Sequence, residues 1–139
     1  MGTNIRPETS LKNKYWIDRH RYYELKHFCL QYPLWKQKVA TYNSLNQSKP
    51  KDAVSSATGK HSSPVEAAAE AREVYLNNIH KVEQAAMEAD VVLENYILKG
   101  VTEGMSYDAL KARLAIPCSK DVYYNLYRRF FWLLDRARK

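Results

Sequence analysis

The chain has 139 residues, 45% of them hydrophobic and 27% charged, with a formal net charge of +7; this length fits one domain, or one compact domain with an appended helical region, and excludes a large catalytic core. No apolar run approaches the roughly 20 residues that cross a bilayer, and the N-terminus lacks the hydrophobic core of a secretory signal, so a cytoplasmic protein is expected. Cys29 and Cys118 are too few and too isolated for a disulfide framework or a cysteine-based zinc site, and read as reduced, small hydrophobes.

Residues 1–12 are polar. Over residues 14–31, Tyr15, Tyr22, Leu25, Phe28 and Cys29 recur at helical spacing, followed by Tyr32 and Pro33. That proline can end one helix or sit in the first turn of the next. Leu34, Trp35, Val39 and Tyr42 continue the apolar pattern towards Leu45, so residues 1–45 are expected to hold an N-terminal helical pair. Residues 46–62, short of bulky apolar side chains and rich in Ser, Lys and Pro, read as a linker. Ser63, Pro64 and Glu66 then form an S-x-x-E capping box with proline at the first helical position, which announces a helix over residues 63–99. Unbroken to a stop at Gly100, it would be about 54 Å long. Val74, Tyr75, Ile79, Val82 and Ala86 give it a partner-facing stripe, and the alanines at 67–69 permit close approach of another helix. This long helix is also the expected surface of any homo-oligomer.

Residues 100–139 read as a short helix, a polar turn and a longer basic, aromatic helix. In the short helix Tyr107, Leu110 and Leu114 form one apolar stripe; in the second, capped by Ser119, the predicted buried stripe is Val122, Leu126, Phe130 and Leu133. Lys120, Tyr124, Asn125 and Arg128 then project elsewhere. Such a face suits duplex DNA, where cations and the Tyr124 hydroxyl meet phosphate and an amide or guanidinium reads a base edge. Arg128 and Arg129 are the expected phosphate or guanine contacts, and Asn125 is placed for an adenine. Charge distribution agrees: residues 1–63 hold 11 Lys+Arg against 4 Asp+Glu, residues 64–99 hold 3 against 7, and residues 105–139 hold 8 against 3. Two basic ends flank an acidic middle, and the candidate DNA-binding unit lies in one of those ends. His20, His27 and His80 lack the spacing and partners of a zinc site, and no phosphate loop, nucleophile elbow or carboxylate pair is recognisable, so neither cofactor, metal nor enzymatic activity is expected.

The stretch IPCSKDVYYNLYRR, preceded by SYDALKARL, resembles the C-terminal DNA-binding region of phage late-gene transcriptional regulators of the ArpU and RinA type, itself similar to the promoter-reading region of sigma factors. The likeness spans residues 90–138. It implies a three-helix unit formed by the end of the long helix, residues 106–114 and residues 119–136, with Ser119 after a proline-containing turn and the Tyr123–Tyr124 pair opening the recognition helix. Ala115 stands where such units carry glycine, and the turn is somewhat longer. The expected fold is therefore all-α, a helical bundle with a C-terminal helix-turn-helix. The expected function is a non-enzymatic, duplex-DNA-binding regulator of phage or prophage transcription in a bacterial cytoplasm. A small terminase subunit, which also joins a DNA-binding module to an oligomerising helical hairpin, and a structural adaptor protein are the alternatives.

Overall fold

The computed structural model describes residues 12–48 and 64–139. Among them the secondary structure is helical throughout, with no strand. The elements are α1 (Arg19–Leu30), α2 (Tyr32–Ser48), α3 (Pro64–Ala89), α4 (Glu94–Glu103), α5 (Tyr107–Leu114) and α6 (Lys120–Ala137). The all-α expectation holds, and the Ser63 cap lies outside the described residues.

Asp18 starts α1: its carboxylate accepts the N–H groups of His20 and Arg21, two of the donors a helix N-terminus leaves without an internal acceptor. Gln31 closes α1, and α2 begins at Tyr32 with Pro33 in its first turn, where a missing N–H is harmless. The two N-terminal helices thus meet at a sharp junction, with Tyr22, Leu25, Cys29 and Trp35 buried and Leu34 exposed.

The helix expected over residues 63–99 is broken. Asp90 ends it by accepting the N–H groups of Val92 (2.8 Å) and Leu93 (2.9 Å) through Oδ1, a local turn that competes with the helical ladder. α4 then resumes in a new direction. Gly100 is not the stop: it lies buried inside α4, where the Tyr123 ring approaches its backbone so closely that a Cβ would collide with the hydroxyl. The stop is Gly104, left-handed at φ 69°.

α6 is the central helix, packed against α1, α3, α4 and α5. Its buried face is Tyr123, Tyr124, Tyr127, Phe130, Phe131 and Leu134, so the predicted stripe is rotated around the helix: Val122 is 47% exposed, and Leu126 and Leu133 are half-buried. The reason is bulk. An aromatic-rich arc removes more apolar area from water than a Val–Leu arc, and at about 25 cal/mol per Å² that difference sets the rotation. Phe130 is buried as expected, Phe131 is buried beside it, and Trp132 is half-buried. Two polar links fix the register of α1 on α6: Tyr22 and Tyr127 share a buried hydroxyl–hydroxyl bond of 2.8 Å, and Arg21 Nε donates to Asp135 Oδ1 at 2.7 Å.

α3 has two different neighbours along its length. Near its C-terminus Ala85, Ala86 and Ala89 are buried, and α3 packs on α6 there; small side chains let the backbones approach. Towards its N-terminus it pairs with α2, with Arg72 Nε donating to Asn43 Oδ1 at 2.9 Å, and no α3 residue before Ile79 is buried.

Candidate nucleic-acid interface

α4, α5 and α6 form a three-helix unit whose angles are set by tyrosines. Ser106 caps α5, its hydroxyl accepting the Ala109 N–H at 3.1 Å, and Ser119 caps α6 by accepting the Val122 N–H at 3.3 Å. Both are extended serines whose oxygens satisfy an orphan amide. Between them, α5 ends in a left-handed residue, Ala115 (φ 50°, ψ 49°), and the Ile116 N–H reaches back to the Leu110 carbonyl at 3.4 Å. The Ala115 N–H also bonds the Lys111 carbonyl at 3.1 Å, the left-handed helix stop that normally uses glycine. It turns the chain so that Ile116 is fully buried while Leu114 is exposed, which corrects the expected Tyr107–Leu110–Leu114 stripe. Tyr107 then ties the turn to α5 by donating its hydroxyl to the Cys118 carbonyl at 2.5 Å.

The five residues expected to meet DNA have different surroundings. Asn125 is exposed in the second turn of α6. Lys120 is half-exposed and reaches Asp108 across the helix pair at 3.7 Å. Arg128 is half-buried on the flank of α6. Tyr124 does not project: it is only 9% exposed, its hydroxyl accepts the Tyr107 N–H at 3.3 Å, and its ring packs edge-on against Tyr123 and Tyr127. A tyrosine so placed links α5 to α6 and is not on the exposed face expected of it. Arg129 also turns inward, donating to Tyr15 Oη at 3.3 Å and to the Glu88 carbonyl at 3.2 Å in the last turn of α3. A cation there complements the negative end of the α3 dipole and satisfies a terminal carbonyl. The same guanidinium holds the Tyr15 phenol below its ordinary pKa, chiefly through that hydrogen bond.

Charge counting therefore overstates the basic surface. Arg129 is engaged as described, Arg136 stacks on Trp132 with 4.6 Å to the ring centroid, and Arg138 lies 3.8 Å over Phe28. Lys111 and Arg113, not among the five expected residues, are both exposed in the last turn of α5 beside the turn into α6. Their position off the buried Tyr107–Leu110 pair was the available signal. Asp108 and Asp121, each in the first turn of its helix, are stabilised there by the helix dipole but oppose a phosphate. The surface around the turn is thus mixed, with Lys111, Arg113, Lys120 and Arg128 against two carboxylates.

Burial shapes the chemistry of the unit's interior. Desolvation pushes the Tyr123 and Tyr127 phenols well above the ordinary tyrosine range, and it pushes the Cys118 thiol up as well. Packed aromatic rings of this kind hold a scaffold. Among the described residues no group of three or more His, Cys, Asp or Glu side chains is placed to hold a metal. No helix among them is long and apolar enough to cross a membrane. Comparison with protein-family models, curated proteins and solved structures yields no match.

Proposed function

We propose that this chain is a non-enzymatic protein that binds duplex DNA through the α5–α6 unit, and that it acts as a transcriptional regulator of phage or prophage origin. The observation that carries the reading is the serine-capped N-terminal end of α6, which leaves Asn125 exposed on a rigid helix while Lys111 and Arg113 stand beside the turn that precedes it. An amide at that point suits the paired acceptor and donor of adenine in the major groove, and the cations release counterions from the phosphate backbone. The phage assignment rests on the resemblance of residues 90–138 to late-gene regulators.

The test is fluorescence anisotropy against duplex DNA across a salt series. The parent binds at low salt. Lys111→Ala and Arg113→Ala each weaken binding on all sequences and reduce the salt slope by about one contact, whereas Asn125→Ala costs about 1 to 3 kcal/mol on the preferred site and relaxes sequence preference. Arg129→Ala loses thermal stability instead of a specific DNA contact. Absence of binding by the folded parent at low salt rejects the reading, as does parent-like binding by all three surface variants.

A further inference from the structure

The Val122 side chain has no packing role in the bundle. Among the large apolar side chains of α6 it alone neither joins the core nor packs against it, and it stands 47% exposed in the first turn. Helix stability does not call for it either. A β-branched residue is a poorer helix former than alanine or leucine, and the Ser119 cap accepts only the backbone N–H of Val122, which any residue but proline supplies. Asn125 follows at i+3, so the two Cβ atoms lie about 5 to 6 Å apart on one face of the helix. Its amide is exposed and makes no hydrogen bond to any described residue. Asp121, at i−4 from Asn125, is exposed on the other flank. This end of α6 thus presents an unpaired amide between an apolar branch and a carboxylate.

The inference rests on the reading that this end of α6 enters the major groove of duplex DNA. The floor of that groove is polar except for one group, the C5-methyl of thymine. Base pairs follow one another at about 3.4 Å along the axis, so side chains about 5 to 6 Å apart meet base pairs one or two steps apart. We propose that Val122 is a specificity-determining residue that packs on a thymine methyl one or two base pairs from the adenine addressed by Asn125. Asp121 adds to the bias. Its carboxylate only accepts hydrogen bonds, so it suits the amino groups of adenine and cytosine and disfavours the all-acceptor edge of guanine. The preferred duplex therefore carries an adenine and a thymine close together under the first two turns of α6.

In the experiment the full chain selects its preferred site from a random duplex library at low salt. Thymines of that site are then replaced one at a time by deoxyuridine, which removes the methyl and leaves base pairing intact. Parent binding, read by fluorescence anisotropy, weakens about fourfold at a thymine one or two base pairs from a required adenine. That factor corresponds to about 0.8 kcal/mol for one methyl group returned to water. Val122→Ala binds the thymine site more weakly by a similar factor and no longer distinguishes thymine from uracil there. Asn125→Ala loses the preference for adenine and keeps the difference between thymine and uracil. Both positions are exposed, and circular dichroism verifies that each variant is folded. Parent binding indifferent to every deoxyuridine overturns the proposal, as does a Val122→Ala protein that still discriminates thymine from uracil; DNA binding itself then stands. A parent that binds duplex but selects no preferred sequence overturns it as well. A folded parent that binds no duplex at low salt rejects the DNA-binding reading and this inference with it.

Discussion

Gly100 and Tyr123 form the tightest junction in the three-helix unit, and a double-mutant cycle measures it. A Cβ at Gly100 would overlap the Tyr123 hydroxyl and stand 3.3 Å from Cζ. The ring cannot swing aside easily, because Tyr123 has no solvent exposure and is held by Tyr124 and Tyr127 at centroid distances of 5.0 and 6.0 Å. Overpacking of this kind costs about 1 to 3 kcal/mol. Exchanging glycine for alanine inside a helix returns about 1 kcal/mol, so Gly100→Ala should lose a net of about 0 to 2 kcal/mol. Tyr123→Phe removes a buried hydroxyl that finds no hydrogen-bond partner among the described residues, and should stabilise by about 1 kcal/mol or more. In the phenylalanine background the nearest ring atom is only slightly tight, and Gly100→Ala becomes neutral or stabilising. The coupling energy is then about 1 to 3 kcal/mol, read from urea unfolding followed by circular dichroism. Additivity within about 0.5 kcal/mol refutes the steric reasoning, and a destabilised Tyr123→Phe refutes the reading of an unsatisfied hydroxyl.

Arg21→Ala leaves the Asp135 carboxylate, only 8% exposed, with Lys139 at 3.7 Å as its remaining ionic partner, and should cost about 1.5 to 3 kcal/mol in the same unfolding assay. A loss within the 0.5 kcal/mol typical of surface changes would contradict a structural role for the pair. Ala115→Gly relieves a left-handed alanine and should stabilise by roughly 0.5 to 1 kcal/mol after the added flexibility of the unfolded chain is counted; a lower Tm would argue against the left-handed geometry at that turn. Burial raises the folded-state pKa of Tyr32, Tyr123 and Tyr127 above that of the unfolded chain. Their stabilising contribution is therefore fully present below about pH 10 and declines as the pH rises beyond it. Phenolate absorbance should appear in two stages, exposed tyrosines first and the buried set together with loss of helix; one smooth titration with the helix intact would refute the burial argument.

Helix existence was legible because apolar residues recur at 3.6-residue spacing and because capping side chains have a local chemistry. Ser119, Pro33 and the turn between α5 and α6 follow from such short-range rules. The rotation of α6 was harder to read. Val122–Leu126–Phe130–Leu133 and Tyr123–Tyr127–Phe130–Leu134 are both helical stripes, and periodicity cannot choose between them. Which is buried depends on α1 and α3, whose contacts with α6 are remote in sequence, as the Arg21–Asp135 bond across 114 positions illustrates. Tyr124 and Arg129 were misread for the same reason: each has the composition of a DNA contact, but a backbone amide and a helix C-terminus remote from α6 in sequence recruit them inward. The break at Asp90 was hidden because aspartate is tolerated within a helix until its carboxylate finds the amides two and three residues ahead. Long-range partners thus decide how one helix is shared between two tasks. The C-terminal part of α6 supplies Phe130, Phe131 and Leu134 to the core, whereas Asp121, Val122 and Asn125 in its first two turns are exposed beside the end of α5. Substitutions beyond Arg129 should therefore act on stability, and those at Lys111, Arg113 and Asn125 on binding.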